Sequence, residues 1–297
     1  MDHSRLHHSP RIVGLGEVLW DVFPDGEAFG GAPANFACHC QALGADAVVV
    51  SAVGDDERGR RAIRFLEEHG VDTRYVEVLP DAPTGAVLVQ LDDEGKARYT
   101  FLENTAWDRL SWSAALAELA GSLDAVCFGT LGQRSGQSRA TILRFLKATR
   151  AECLRVFDIN LRQHFHSPEL VLASLEAANV LKVNDEELPM LAGWLGLAGT
   201  PERQLASLLD RFALRLAILT CGARGALMLA PGESSFERPP EVDVVSTVGA
   251  GDAFTAAVVM GLLRGLPLGE INRRANAIAA AVCTQRGAVP PLPAGLV

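Results

Sequence analysis

The sequence has no apolar stretch able to cross a bilayer: its longest, Ala253 to Leu263, falls far short of the ~20 residues a spanning helix needs. Nor does its start, Met1 to His8, carry an apolar core of signal-peptide length; it reads as a frayed tail. Positive charge is in deficit. A formal net charge of −9 argues against a nucleic-acid or membrane-surface partner, since either needs a basic stripe. Paired Cys-x-x-Cys motifs are missing too. The six cysteines (Cys38, Cys40, Cys127, Cys153, Cys221 and Cys283) are scattered, with only Cys38 and Cys40 close, so they read as buried free thiols suited to a reducing cytoplasm. There is no internal repeat and no low-complexity segment.

What remains is an ordinary globular composition, 48% hydrophobic and 21% charged over 297 residues. That length is enough for one large α/β domain or two smaller ones, burying ~70–75% of the unfolded surface without help from a metal or disulfide.

The hydrophobic pattern alternates between short apolar runs and helical stretches. Strands are expected at Ile12–Leu15, Ala47–Ala52, Ala125–Phe128, Arg155–Asp158, Val180–Val183 and Leu216–Thr220. Helices are expected from Pro33 to about Gly44, from Asp55 to His69, and at Gly251–Arg264 and Gly269–Gln285. Short apolar strands separated by helices imply a parallel sheet covered on both faces. Between Tyr75 and Phe101 the rhythm breaks: Gly85–Leu91 and Ala97–Phe101 flank Asp92-Asp93-Glu94-Gly95 as a hairpin. The expectation is a small antiparallel layer set on the main body, completed near Leu19 to Phe23.

In such a sheet, ligands sit beyond the carboxyl ends of the strands, and five polar segments qualify. In Ser246-Thr247-Val248-Gly249-Ala250-Gly251-Asp252, two glycines clear the approach to a helix start, so that N–H groups can face an anion. Asp252 then stands beside that anion as a candidate base for phosphoryl transfer, although a glycine turn with a dipole-favoured acid gives the same pattern. Gly30-Gly31-Ala32-Pro33-Ala34-Asn35 opens another helix. There the glycines admit a ligand and Asn35 offers both donor and acceptor, with Asp21 upstream able to accept two sugar hydroxyls; a plain capped loop is the alternative. Asn184 and Glu187 have a spacing that suits hydrated Mg²⁺ or a capping box. Asp158, Asn160 and Arg162 alternate as if on one face of an extended segment, where Arg162 can neutralise phosphate, although a surface strand end gives the same pattern. Thr220-Cys221-Gly222-Ala223-Arg224-Gly225 can wrap nucleotide phosphates or form a hairpin turn.

Taken in order, these segments resemble the signatures of the ribokinase-like (PfkB) carbohydrate kinases along nearly the whole chain, and within that family most resemble fructokinases. The resemblance implies a single domain over 1–297: a Rossmann-like three-layer α/β/α body with a discontinuous β lid at about 17–30 and 75–106. It implies ATP-dependent phosphorylation of a small sugar such as fructose, in the cytoplasm. Asp252 would be the base, Gly249, Ala250 and Gly251 the anion hole, and Arg162 the phosphate partner. Asp21, Gly30, Gly31 and Asn35 would bind the sugar. Thr220, Gly222 and Gly225 would contact ATP phosphates, Asn276 would face the adenine, and Asn184 and Glu187 would organise Mg²⁺ through water. Pairing of two chains through the lid is expected as well, because an antiparallel layer leaves open edges.

Two departures from the pattern stand out. Ser246 replaces an Asp that helps family members hold a monovalent cation, which leaves only carbonyls near Gly287 and Ala288 for that task. Glu103 to Asp108 differs from the fructokinase wording, which keeps a nucleoside or a keto-sugar acid open as acceptor, with Arg98 the candidate cation for the acid. A non-catalytic sugar- or nucleotide-binding regulator is a remoter reading, since neither the acid nor the glycines are lost. A nicotinamide dehydrogenase fails, because Leu19 occupies the third glycine's place after Gly14-x-Gly16.

Overall fold

The computed structural model describes residues 9–91 and 97–296. The expected tail and hairpin turn lie outside them, as does the side chain of Arg98. The chain begins with β1 (Arg11–Leu15), β2 (Leu19–Phe23), β3 (Gly26–Gly30), α1 (Ala32–Ala42), β4 (Asp46–Gly54), α2 (Glu57–Glu68) and β5 (Val76–Leu79). It continues through β6 (Gly85–Leu91), β7 (Ala97–Phe101), α3 (Ala114–Ala120), β8 (Ala125–Phe128), α4 (Gly136–Ala148), β9 (Leu154–Asp158), α5 (Pro168–Ala177) and β10 (Val180–Asn184). The last part holds α6 (Glu187–Leu195), α7 (Pro201–Arg211), β11 (Leu216–Thr220), β12 (Ala226–Ala230), β13 (Glu233–Glu237), α8 (Ala250–Leu263) and α9 (Leu268–Cys283).

The large sheet has the order β13-β12-β11-β10-β9-β8-β1-β4-β5. Its strands pair in parallel from β5 to β11, while β12 and β13 return antiparallel at one edge. Side chains alternate between two helical layers. Ile12 joins the layer holding residues of α1, α2, α8 and α9, whereas Val13 and Leu15 join the one holding α3 to α7. That period of two, with both sides apolar, is what makes these strands read as continuous hydrophobic runs. The strand order reverses around β1, which leads outward to β4 on one side and sits beside β8 on the other. This switch point opens the crevice in which α/β folds bind ligands.

A second sheet, ordered β3-β2-β6-β7, stands over that end. It differs from the expected antiparallel layer in two respects. β2 and β6 run parallel, Leu19 opposite Gly85, because a long excursion through the main body separates them. Val76–Leu79, expected in this layer, instead extends the large sheet in parallel beside Ser51–Gly54. The local pattern of a four-residue strand does not specify which partner it finds.

Candidate active site

The loop before α8 turns on Gly249, at φ 80°, and a side chain there would run into the Ala288 carbonyl. Only glycine fits that turn. The Ala250 amide donates to Thr247 O at 3.3 Å, so one of the three expected anion-hole donors is engaged. Among the described residues, the Gly249 and Gly251 amides have no protein acceptor. They are unsatisfied donors at the positive end of a 14-residue helix, an arrangement chemically able to hold an anion.

Asp252 follows in the first turn of α8, and Asn35 Nδ2 donates to its Oδ2 at 2.9 Å. Burial pushes the Asp252 carboxyl up to about 7 against the opposing pull of Asn35; Asp158 raises it further, while Lys182 and Arg162 lower it. A carboxyl poised near neutrality beside free amides is suited to take a proton at physiological pH.

Beneath this mouth lies a buried ion pair that the sequence did not point out. Lys182 Nζ is 3.0 Å from Asp158 Oδ1, and the two residues are 8% and 5% exposed. Thr255 Oγ1 donates to Asp158 Oδ2 at 3.2 Å and lies 2.9 Å from the Gly251 carbonyl, so the pair is fastened to α8. Burial would pull Lys182 down, but Asp158, Glu187 and Asp252 outweigh it and hold the ammonium above its usual value. The available signal was a lone lysine inside the apolar strand Val180-Leu181-Lys182-Val183, since unpaired buried lysines are rare.

On the small-sheet side, Gly31 adopts φ 111° against the Glu17 carbonyl, which lets α1 begin at once with Pro33 in its first turn. Glu17 was given no role from sequence either. It is 2% exposed with Oε2 unpartnered, and burial lifts its carboxyl to about 7. Asp21 is raised by burial as well, and a Cβ on Gly30 would lie 3.1 Å from its Oδ2. The Arg162 guanidinium lowers Glu17, Asp21 and Asp252 alike. It does so from an exposed loop and not from a strand face: β9 ends at Asp158, and Asn160 turns left-handed at φ 45°, so the expected alternation of 158, 160 and 162 is not realised.

On the other side of the mouth, a cavity of about 790 Å³ is lined by Thr220, Gly222, Gly225, Ala250, Gly251 and Asn276, among others. Thr220 to Gly225 is the hairpin connection the sequence allowed, between antiparallel β11 and β12, and it also forms a wall of this cavity. Asn276 is buried and donates to Asn272, whose own side chain ties α9 to Ala226 and Ser235.

Asn184 and Glu187 form a reciprocal cap. Asn184 Oδ1 accepts from the Glu187 amide at 2.8 Å, and Glu187 Oε2 from the Asn184 amide at 2.9 Å. Glu187 Oε1 takes the Leu161 amide, so each of its oxygens has one lone pair left. Among the described residues, no group of three or more His, Cys, Asp or Glu is placed to hold a metal directly. Such a site fits Mg²⁺ only as that ion is usually held, through retained waters and substrate oxygens.

The pattern for pfkB family carbohydrate kinases matches residues 16–295. A probable fructokinase-4 of Arabidopsis thaliana is 30% identical over 308 residues, covering 95% of this chain and 93% of that protein. The fructokinase of Salmonella typhimurium is 29% identical, with 95% and 96% covered. Among solved structures, a sugar kinase of Pyrococcus horikoshii in complex with ATP has a TM-score of 0.80 at 27% identity, with 93% of each chain covered. The fructokinase of Vibrio cholerae O395 bound to fructose, ADP and calcium has a TM-score of 0.80 at 26% identity, with 97% of each covered.

Proposed function

This chain belongs to the pfkB family of carbohydrate kinases, and from that premise we propose that it moves the γ-phosphoryl group of ATP onto a hydroxyl of a neutral sugar, fructose or a close relative. One observation carries the reading. Asp252, its carboxyl near 7, follows residues that line a large cavity, feels the charge of Arg162 together with Glu17 and Asp21, and stands next to two amides without acceptors among the described residues.

In this mechanism the nucleotide occupies the 790 Å³ cavity, with its phosphates against Thr220, Gly222 and Gly225 and its base towards Asn276. The sugar lies under the small sheet, held by Asp21, Asn35 and the bare backbone at Gly30 and Gly31. Asp252 takes the hydroxyl proton as the sugar oxygen bonds to the γ-phosphorus; the bond from that phosphorus to the bridging oxygen breaks, and ADP leaves with the electron pair. The Gly249 and Gly251 amides and Arg162 balance the charge on the transferring group. Ala250 contributes by shaping the turn, its amide being taken by Thr247. Asn184 and Glu187 would hold Mg²⁺ through water, and the ion, when bound, would supply neutralisation of phosphate charge.

The acceptor side favours a neutral polyol over a sugar acid. Among the described residues it gathers three carboxyls around Arg162, whose charge is needed at phosphate. The neighbouring Arg134 is mostly engaged: it pairs with both oxygens of Asp108 at 2.7 Å and donates to Leu102 O at 2.6 Å, while its buried Nη1 has no partner among the described residues. Two open edges, β3 and β7, with Tyr99 and Phe23 exposed nearby, support pairing of two chains through the small sheet. Six free cysteines and the use of ATP fit a place in the cytoplasm.

A coupled ADP-release assay over fructose, other hexoses and pentoses, sugar acids and nucleosides tests the substrate. Turnover highest on a neutral ketose or aldose is expected; a sugar acid or nucleoside preferred by tenfold or more, on the order of 1.4 kcal/mol, would overturn the assignment. Light scattering at micromolar concentration checks the pairing, and a monomeric mass would refute it.

A further inference from the structure

Asn35 and His39 lie four residues apart on α1, hence one turn apart on the same face. Asn35 reaches Asp252. His39, fully buried, places Nε2 at 2.9 Å from the Ala288 carbonyl, and that carbonyl is the group packed against Gly249 Cα. A carbonyl can only accept, so the imidazole must carry its proton on Nε2. Nδ1 is then a buried acceptor, and among the described residues it has no partner. Leaving such an atom unsatisfied is costly, and an apolar side chain of the same volume would fill the space without that cost.

We propose that His39 is a positioning residue for phosphoryl transfer: through the Ala288 carbonyl it fixes the backbone at Gly249, as Asn35 one turn earlier fixes Asp252. One helix then sets the base and the anion site to a common frame, and this role rests on the kinase reading given above. Burial keeps the ring neutral, lowering it to about 4, so the bond persists across the physiological range; His69 is the nearby titratable group that disfavours its charge further. His39 touches neither substrate, so its loss acts on turnover and not on affinity.

The test compares His39→Gln with His39→Met, which match in volume and shape but differ in whether the side-chain tip can donate. The expected result is a kcat for the Met variant lowered ~10–100-fold, as for other small misplacements of reacting groups. Both KM values should stay within about twofold, with most of the turnover restored by Gln. A Met variant as fast as wild type, or a Gln variant as slow as Met, overturns the proposal. Nitrogen-15 NMR of the wild-type protein adds a reading independent of any variant's folding: His39 must be the neutral Nε2–H tautomer, and an Nδ1–H tautomer overturns the proposal by itself. Asp252→Asn separates the two levels of argument. If it retains turnover, the kinase mechanism fails; if it is inactive while His39→Met is not, only the role of His39 fails.

Discussion

Asn35 Nδ2 and Asp252 Oδ2 meet at 2.9 Å although 217 positions separate them in sequence. The bond is where α1 and α8 converge, and it stabilises the ionised form of a carboxyl that burial pushes the other way. In the proposed role of base Asp252 must be ionised, so kcat/KM should rise with pH and level off above about 7. Asn35→Leu removes the donor while keeping the volume, so the limb should move to higher pH whatever happens to the plateau. Asp252→Asn should lower kcat ~10²–10⁴-fold. A pH–rate profile of the Leu variant that overlays wild type would show that the bond does not tune the base.

The same carboxyl should make the fold sensitive to pH. Its folded value, about 7, exceeds the reference of 3.8, so its contribution to stability is complete below about 3.8 and lost as pH rises through 7. Asn at 252 does not titrate, and its amide oxygen still accepts from Asn35. Asp252→Asn should therefore be progressively more stable than wild type above about pH 4, the gain levelling off above 7 at roughly 4 kcal/mol. Urea unfolding at pH 5 and pH 8 checks the sign: a gain at pH 5 larger than at pH 8 contradicts it.

Lys182 and Asp158 should behave as a unit. Lys182→Met leaves a buried carboxylate with Thr255 as its remaining hydrogen-bond partner, at an expected cost of about 3–5 kcal/mol. Adding Asp158→Leu removes the stranded charge and should recover much of that loss, since apolar replacement of a buried pair is often neutral or better. Denaturant unfolding of both variants decides it. A single variant losing under about 1 kcal/mol would mean that water reaches the pair.

How far the sequence foretold this depends on whether a feature is local. β8 and β11 fall on the residues expected, because each is an apolar run bounded by polar residues. The starts of α1 and α8 were legible because glycine and proline have few other uses at those places. β13 was not, since Glu-Ser-Ser-Phe-Glu is a polar edge strand without a hydrophobic signature. The parallel pairing of β2 with β6 depends on where a distant segment returns. Glu17, His39 and Lys182 escaped for a related reason. A buried polar residue is recognised by its partner, and Ala288 lies 249 positions from His39 while Asp158 lies 24 from Lys182.

Asn184 joins two roles that substitution can separate. Its side-chain oxygen accepts from the Glu186 and Glu187 amides and so caps α6, while the proposed mechanism also places it near hydrated Mg²⁺. Asn184→Ala removes both functions and should cost ~1 kcal/mol of stability. Asn184→Ser keeps a capping oxygen but is shorter and lacks the amide, so stability should return nearly to wild type. If the residue serves the ion only by holding Glu187 in place, Ser should also restore the magnesium concentration giving half-maximal rate. If the amide itself orders the waters, that concentration should stay raised in Ser as in Ala. The latter outcome is expected, because Glu187 keeps the Leu161 amide and its own grip on the 184 backbone in either variant. A Ser variant with wild-type magnesium dependence would reduce Asn184 to a cap.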